Sequence, residues 1–219
     1  MEQKTLVERT LEPSRVFQGR EREKLLDQLV SIARDGFGTD MTREDVENHV
    51  FKVGELYLVQ VDRALVGFAG YDHIRFKDKN ILYLQGIVIR RDFQRHGLFH
   101  RVNTKAINYN GFDFLAMRTQ NPVIYAATQK LVKELYPNGT PAPEVVAEIA
   151  KYIARDFLKM KDFDDQTFVG RSTYGVCLYD FIPQPVHGRA NSFFNQSLRL
   201  NYAQGDSVLL VGALKNEKD

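Results

Sequence analysis

The sequence predicts an α/β fold, in which helices flank a mixed, mostly antiparallel central sheet. Three observations predict it. Apolar residues recur at helical spacing before residue 54 and again after residue 97. Between those stretches, "ELYLVQV", "ALVGFAGYDHIRF" and "ILYLQGIVI" are consecutive runs of branched and aromatic residues, which read as strands joined by short turns. A chain of 219 residues is long enough for one sizeable core and short for two.

Each element follows in order. In "EREKLLDQLVSIARDGFG", Leu25, Leu26, Leu29, Ile32 and Ala33 fall on one helical face, and Gly36 and Gly38 stop the helix. In "MTREDVENHVFKVG", Thr42 followed three residues later by Asp45 reads as a capping box. Val46, Val50 and Val53 take its inner side, and Gly54 ends it. The three strand runs make a meander, with "DR" and "FKDKN" as turns. A helix from Gly97 to about Tyr109 has Leu98, Val102 and Ala106 on one face. "GFDFLAMRT" is a further strand. "QNPVIYAATQKLVKELYPNG" predicts a helix with Asn121 as cap, Pro122 at the first position and a stop at Asn138–Gly139. "TPAPEVVAEIAKYIARDFLKM" predicts an extra helix, with Val146, Ile149, Ile153, Phe157 and Met160 as a core stripe. "RSTYGVCLYDFI" and "DSVLLVGALK" read as a closing C-terminal strand pair. The mixed stretch 183–205 between them reads as a loop excursion with a short helix or strand.

Composition excludes several classes. With 43% hydrophobic and 26% charged residues, the chain is not disordered as a whole. A net charge of +2 argues for neither nucleic acid nor membrane by itself. The single cysteine, Cys177, forms no internal disulfide, which suits a reducing compartment, and its apolar surroundings suggest a buried structural thiol. There is no apolar run of the ~18 residues that a spanning helix needs. "MEQKTLVERTLEPSR" is charged throughout and lacks a signal core. The expectation is a soluble, cytoplasmic protein. The five histidines, His49, His73, His96, His100 and His187, lack metal-ligand spacing. His96 and His100 are four apart, but no third ligand accompanies them.

The junction "IVIRRDFQRHGLFHRV" carries the chemistry. A helix N-terminus presents unpaired N–H groups and about half a positive charge, so anions dock there. Glycine lets the backbone approach a phosphate without a Cβ in the way. Arg90, Arg91, Arg95, His96 and Arg101 add formal charge. The spacing is neither a P-loop nor a GxGxxG loop. A solvated basic face explains the same charges.

"QRHGLF", Gln94–Phe99, resembles the Gln/Arg-x-x-Gly-x-Gly/Ala motif of the GCN5-related N-acetyltransferases, the GNAT superfamily. "ILYLQGIVI" resembles the strand before it and "FHRVNTKAI" the helix after it. "FDFLAMRTQNPVIYAATQKL" resembles the later strand–helix block, and "ALVGFAGY" the third strand. The resemblance implies one GNAT-like domain over residues 1–219, with a core at about 20–136, a helical segment at about 140–162 and closing strands at about 171–215. It implies acyl-CoA binding, with acetyl-CoA as co-substrate. The motif amides of Gln94, Arg95, His96, Gly97, Leu98 and Phe99 would hold the pyrophosphate. The backbone of Ile87, Val88 and Ile89 would pair with the pantetheine arm. Asn121 falls where the family's second helix often meets the cofactor, although an N-cap role explains it as well.

Two departures stand out. Phe99 occupies a position that is Gly or Ala in the motif, so its ring must point away from the phosphates. The family's frequent general-acid tyrosine falls near Thr128, and Tyr125, one turn earlier, is the nearest substitute. The carboxylate many members carry on the central strand falls on Tyr83, with Gln85 beyond it; neither is a good base at neutral pH. From residue chemistry alone, Asp72 and His73 at the end of the third strand are further candidates, and imidazole titrates in the useful range. An exposed strand-end residue explains His73 equally. Glu55 reads as an exposed carboxylate at a strand start. Tyr174, Cys177 and Tyr179 alternate along a predicted strand that lines an acceptor pocket or packs in the core. His187 reads as a loop residue. The catalytic candidates are therefore Tyr83, His73 and Tyr125.

The function implied is acetyl transfer to a primary amine of a small-molecule or protein acceptor. Residues 144–160 and 182–206 would shape the acceptor pocket. A homodimer stays open, as dimers are common in that family. The alternative is a non-catalytic acyl-CoA-binding or regulatory module of the same fold. A third option is a nucleic-acid binder using the Arg90–Arg101 cations, which would need a strongly salt-dependent affinity for RNA or DNA.

Overall fold

The charged N-terminus, which composition showed only to lack a signal core, forms a strand. In the computed structural model, which describes residues 4–109, 111–185 and 188–215, β1 (Thr5–Leu11) pairs antiparallel with β2 (Glu55–Val61) from Thr5↔Val61 to Leu11↔Glu55. Asp62 N donates to Lys4 O at 3.0 Å, and Glu12 N donates to Gly54 O at 2.9 Å, which fixes both ends of the pairing. Charged residues on an edge strand discourage pairing with another chain, so this strand carries too little apolar periodicity to be read from sequence.

The chain divides into two compact units. One comprises Met1–His73 with Tyr83–Asn110; the other comprises Ile74–Leu82 with Gly111–Asp219. The first contains β1, a helical turn α1 (Pro13–Val16), α2 (Gly19–Phe37), α3 (Arg43–Phe51), β2, most of β3 (Ala64–Phe76), most of β4 (Lys79–Ile89), and α4 (Leu98–Ile107). Its strand order is β1-β2-β3-β4. The helices α2, α3 and α4 lie where apolar spacing predicts them. Thr42 caps α3 by accepting from Asp45 N at 3.0 Å, and Gly38 ends α2 with φ 74°. Leu25, Leu26, Leu29, Ile32 and Ala33 of α2 form a core with Val46 and Val50 of α3 and with Leu56, Leu58, Phe68 and Val88 of the strands. A Cβ on Gly70 would lie 2.6 Å from His49 O, so the end of α3 rests on bare strand backbone.

The second unit is built on β8 (Ser207–Ala213). On one edge β8 pairs antiparallel with β5 (Phe114–Thr119); on the other it pairs with β6 (Glu134–Tyr136) and β7 (Val169–Gly170). Its helices are α5 (Pro122–Thr128), α6 (Glu144–Tyr152), which continues as a wide turn to Phe157, and α7 (Arg189–Ser192). Two expectations fail here. The helix predicted over 121–138 ends at Thr128, and Glu134–Tyr136 becomes a strand. Thr128 Oγ1 turns back to Ile124 O at 2.8 Å, and Pro137 disfavours helical geometry at Tyr136. The strand predicted over 171–182 does not form. Its start is captured by Asp206, which accepts from Arg171 at 2.6 Å, Ser172 N at 3.0 Å and Asn201 N at 3.0 Å. Cys177 is accordingly half-buried in a turn-rich segment rather than in a strand. His187 lies outside the described residues.

Asp206 makes this clamp sensitive to acid. Burial pushes its carboxyl up, but the donors from Ser172, Asn201 and Arg171 outweigh burial and hold it below the usual carboxylate range. A depressed folded-state value means stability that is present above the usual range and is lost as pH falls below it and through the lower folded-state value. Asp206→Asn should therefore flatten the fall in melting temperature on acidification, and Asp206→Ala should destabilise by about 0.5–1.5 kcal/mol for each hydrogen bond lost. Thermal melts across the acidic range check both.

Candidate active site

At the end of β4 the chain makes a tethered turn. Arg90 N donates to Val66 O at 2.8 Å, and Arg91 N donates to Asp35 Oδ2 of α2 at 2.8 Å. Gln94 N donates to Arg91 O at 3.1 Å, while Gln94 Nε2 donates to Ile89 O at 2.9 Å. Gln94 is thus a clamp, and its own N–H is already in use. Arg95 (φ 65°) and Gly97 (φ 75°) are both left-handed, on either side of His96. Gly97 starts α4 with no side-chain cap and no acid in the first turn. Among the described residues, the main-chain N–H groups of Arg95, His96, Gly97, Leu98, Phe99 and His100 donate to no protein acceptor. A Cβ on Gly97 would meet nothing within 4 Å, so the approach is open. Arg95, His96, His100 and Arg101 are exposed around it; Leu98 is buried and Phe99 half-buried. Val88 and Ile89 are buried and Ile87 half-buried.

Beneath α4 lies a polar interior that sequence reasoning missed. Glu55, expected to be exposed, has a side chain only 2% exposed. Arg9 of β1 forks onto it, with Nε 2.9 Å from Oε2 and a second guanidinium nitrogen on Oε1. Tyr57 donates its hydroxyl to Oε2 at 2.9 Å, and His73 Nε2 lies 2.7 Å from Oε1. Burial pushes the Glu55 carboxyl up, but Arg9 and then Tyr57 outweigh it and hold it below the usual range. Burial and the neighbouring carboxylate push the Tyr57 hydroxyl far up. The Tyr57 ring meets Tyr71 edge-on at 5.3 Å. Tyr71 donates to Asn103 Oδ1 at 3.1 Å, and Asn103 Nδ2 donates to Phe99 O at 2.8 Å. Arg9 also stacks over Tyr109, 4.1 Å from the ring centre. The missed signal was Arg9, which sits at strand alternation with Val7 in "TLVERTL".

The remaining candidates fall as follows. Tyr83 is buried. Asp72 takes Gly54 N and Gln85 Nε2, each at 2.8 Å, so both side chains join strands. In the second unit, Asn121 Oδ1 caps α5 through Val123 N at 2.8 Å, and its Nδ2 reaches Tyr179 Oη at 3.3 Å. Tyr125 donates to Pro137 O at 3.1 Å among the rings of Phe193 and Phe194, and burial pushes its hydroxyl up to about 12. Its proton therefore has a fixed acceptor in the core. Tyr174 stacks on Arg118 at 4.1 Å. Among the described residues no group of three His, Cys, Asp or Glu side chains gathers for a metal, and no helix is long and apolar enough to cross a membrane.

Neither a family model nor a curated protein sequence matches this chain. Solved structures do. The ribosomal-protein-S18-alanine N-acetyltransferase from Escherichia coli aligns over 98% of this chain and 99% of its own, with TM-score 0.51 and 10% identity. The fold is that of the GCN5-related N-acetyltransferases. A GCN5-related glucosamine N-acetyltransferase region of a fungal multi-domain GH3 β-N-acetylglucosaminidase aligns over 62% of this chain at TM-score 0.48 and 12% identity. The match spans only 18% of that fungal chain. An aminoglycoside N-acetyltransferase solved in complex with CoA aligns over 59% of this chain and 87% of its own, at TM-score 0.40 and 14% identity. In this GNAT fold the open amide turn joins β4 to α4.

The Arg9–Glu55 pair can be tested by itself. Removing one partner of a buried pair leaves an uncompensated charge and costs about 3–5 kcal/mol, whereas replacing both with apolar residues costs much less. Arg9→Met and Glu55→Met should each lower the urea midpoint strongly, and the double variant should regain part of the loss.

Proposed function

We propose that this protein is an acyl-CoA-dependent N-acyltransferase, with acetyl-CoA as donor and a primary amine of a small molecule or protein as acceptor. The observation that carries the reading is the run of amides from Arg95 to His100 that donate to no protein acceptor at the uncapped start of α4. A diphosphate supplies the acceptors these donors need, and the helix dipole and surrounding cations favour its charge. Gln94 and Asp35 hold the turn in shape from either side. Bound acyl-CoA supplies an activated thioester. The protein then has to orient the donor and take a proton from the acceptor ammonium.

His73 is the residue we assign to that proton. Its ring is 42% exposed, and Nε2 sits on Glu55. A carboxylate accepts, so the neutral ring carries a hydrogen on Nε2. The carboxylate fixes the tautomer and the ring plane. An ammonium acceptor loses one proton to the imidazole, and the amine nitrogen bonds to the acyl carbon as the C–S bond breaks. The second amine proton leaves with the thiol.

Calorimetry with acetyl-CoA should show one site per chain. Gly97→Val forces a β-branched residue to φ 75° and should weaken binding at least about tenfold; unchanged binding would count against the turn. His73→Gln should slow transfer to a peptide α-amine or an alkyl diamine by about 10²–10⁴-fold. Methoxyamine is neutral at the assay pH and should be far less affected; equal losses on both nucleophiles would remove His73 from the role. The second reading, a module that binds acyl-CoA without turnover, is favoured by the fixed hydrogen bond of Tyr125 to Pro137. It predicts binding with no thiol release across the same amines.

A further inference from the structure

We infer that Asn103 is a positioning residue for the amide turn, acting through Tyr71 rather than by touching a ligand; the inference rests on the acyl-CoA reading above. Asn103 is fully buried on the face of α4 that otherwise presents Leu98, Val102 and Ala106. A polar side chain in an apolar stripe is unfavourable unless both ends are bonded, and here both are. Its Nδ2 donates at 2.8 Å to Phe99 O, one helical turn back and within the run of open amides. Its Oδ1 accepts at 3.1 Å from Tyr71 of β3, which is also fully buried.

The two bonds tie the first turn of α4 to the sheet. The strand end is tied separately, through Gln94 on Ile89 O and Arg91 N on Asp35. The left-handed residues Arg95 and Gly97 lie between these anchors. With Asn103 in place, the donors from Arg95 to His100 are held by fixed supports on both sides. Without it, only packing of Leu98 and Val102 sets the height and rotation of the first helical turn. Donors that must meet a diphosphate together tolerate little misplacement.

The chain of contacts continues inward. Tyr71 rests edge-on against Tyr57, which is hydrogen-bonded to Glu55, which Arg9 and His73 also hold. Tyr71 meets Tyr57 through a ring contact, so the bonds around Glu55 stand without Asn103.

The test uses the full chain with acetyl-CoA and with S-acetylpantetheine, which lacks the diphosphate. Asn103→Leu should raise KM and Kd for acetyl-CoA about tenfold while leaving kcat at saturating donor and KM for the amine unchanged. S-acetylpantetheine should react at the wild-type kcat/KM, because it makes no use of the turn. Asn103→Leu leaves the Tyr71 hydroxyl without its acceptor and should lower stability. The double variant Tyr71→Phe with Asn103→Leu removes both polar groups and should recover it. Affinity for acetyl-CoA should stay low in that stable double variant. If affinity returns with stability, or if both donors lose equally, Asn103 is only a packing residue and the inference is overturned. If the wild-type protein fails to bind acetyl-CoA at all, the acyl-CoA reading itself falls, and the inference with it.

Discussion

The carboxylate of Glu55 is the constraint on which the first unit turns. It is ionised and almost completely buried, so every lone pair must find a donor. Arg9 comes from β1, Tyr57 from β2 and His73 from β3. One anion thus draws three neighbouring strands into a single arrangement. Ladder hydrogen bonds alone would allow β1 to slip, and a slip of one residue would turn Arg9 to the wrong face. The charge pair makes such a slip expensive, because it would leave both ions buried and unpaired.

The same constraint divides the two faces of the strands. Leu56, Leu58, Phe68 and Val88 form an apolar face against α2 and α3. The other face carries Glu55, Tyr57 and Tyr71, with Asn103 of α4 packed on it. An apolar face holds a helix without defining its rotation closely. A face of directed hydrogen bonds defines it well. The helix that begins at the open amide turn is the one held by directed bonds. The turn leaves several donors without a protein acceptor among the described residues, and such donors are useful only where their supports do not move.

How much of this was legible in the sequence follows from what each signal depends on. Local backbone chemistry was readable. Thr42 and Asp45 give the cap of α3, Gly38 ends α2, and Gly97 takes the left-handed start of α4. Each needs only residues a few positions apart. Signals that depend on distant partners were not readable. β1 is held by Arg9 reaching across to Glu55, 46 positions away, and its own apolar pattern is too thin to announce a strand. "RSTYGVCLYDFI" alternates well enough for a strand, yet Asp206, 34 positions beyond Ser172, bonds its first residues into a turn. The stretch 129–138 has helical composition, but β8 offers an open edge there and Leu135 and Tyr136 are buried on it. Tertiary pairing overrides a propensity worth only fractions of a kcal/mol per residue.

The candidate site divides in the same way. The amide turn is a local object and could be read from "QRHGLF", apart from Gln94, whose amide nitrogens clamp the turn rather than join its open donors. The cluster of titratable side chains is not local. Read along β4, the chain offers Tyr83 and Gln85, and neither suits the task. Read across the strands, it offers an imidazole seated on a carboxylate that another strand has already neutralised. That grouping spans three strands, and Arg9 of β1 joins it from 46 positions away.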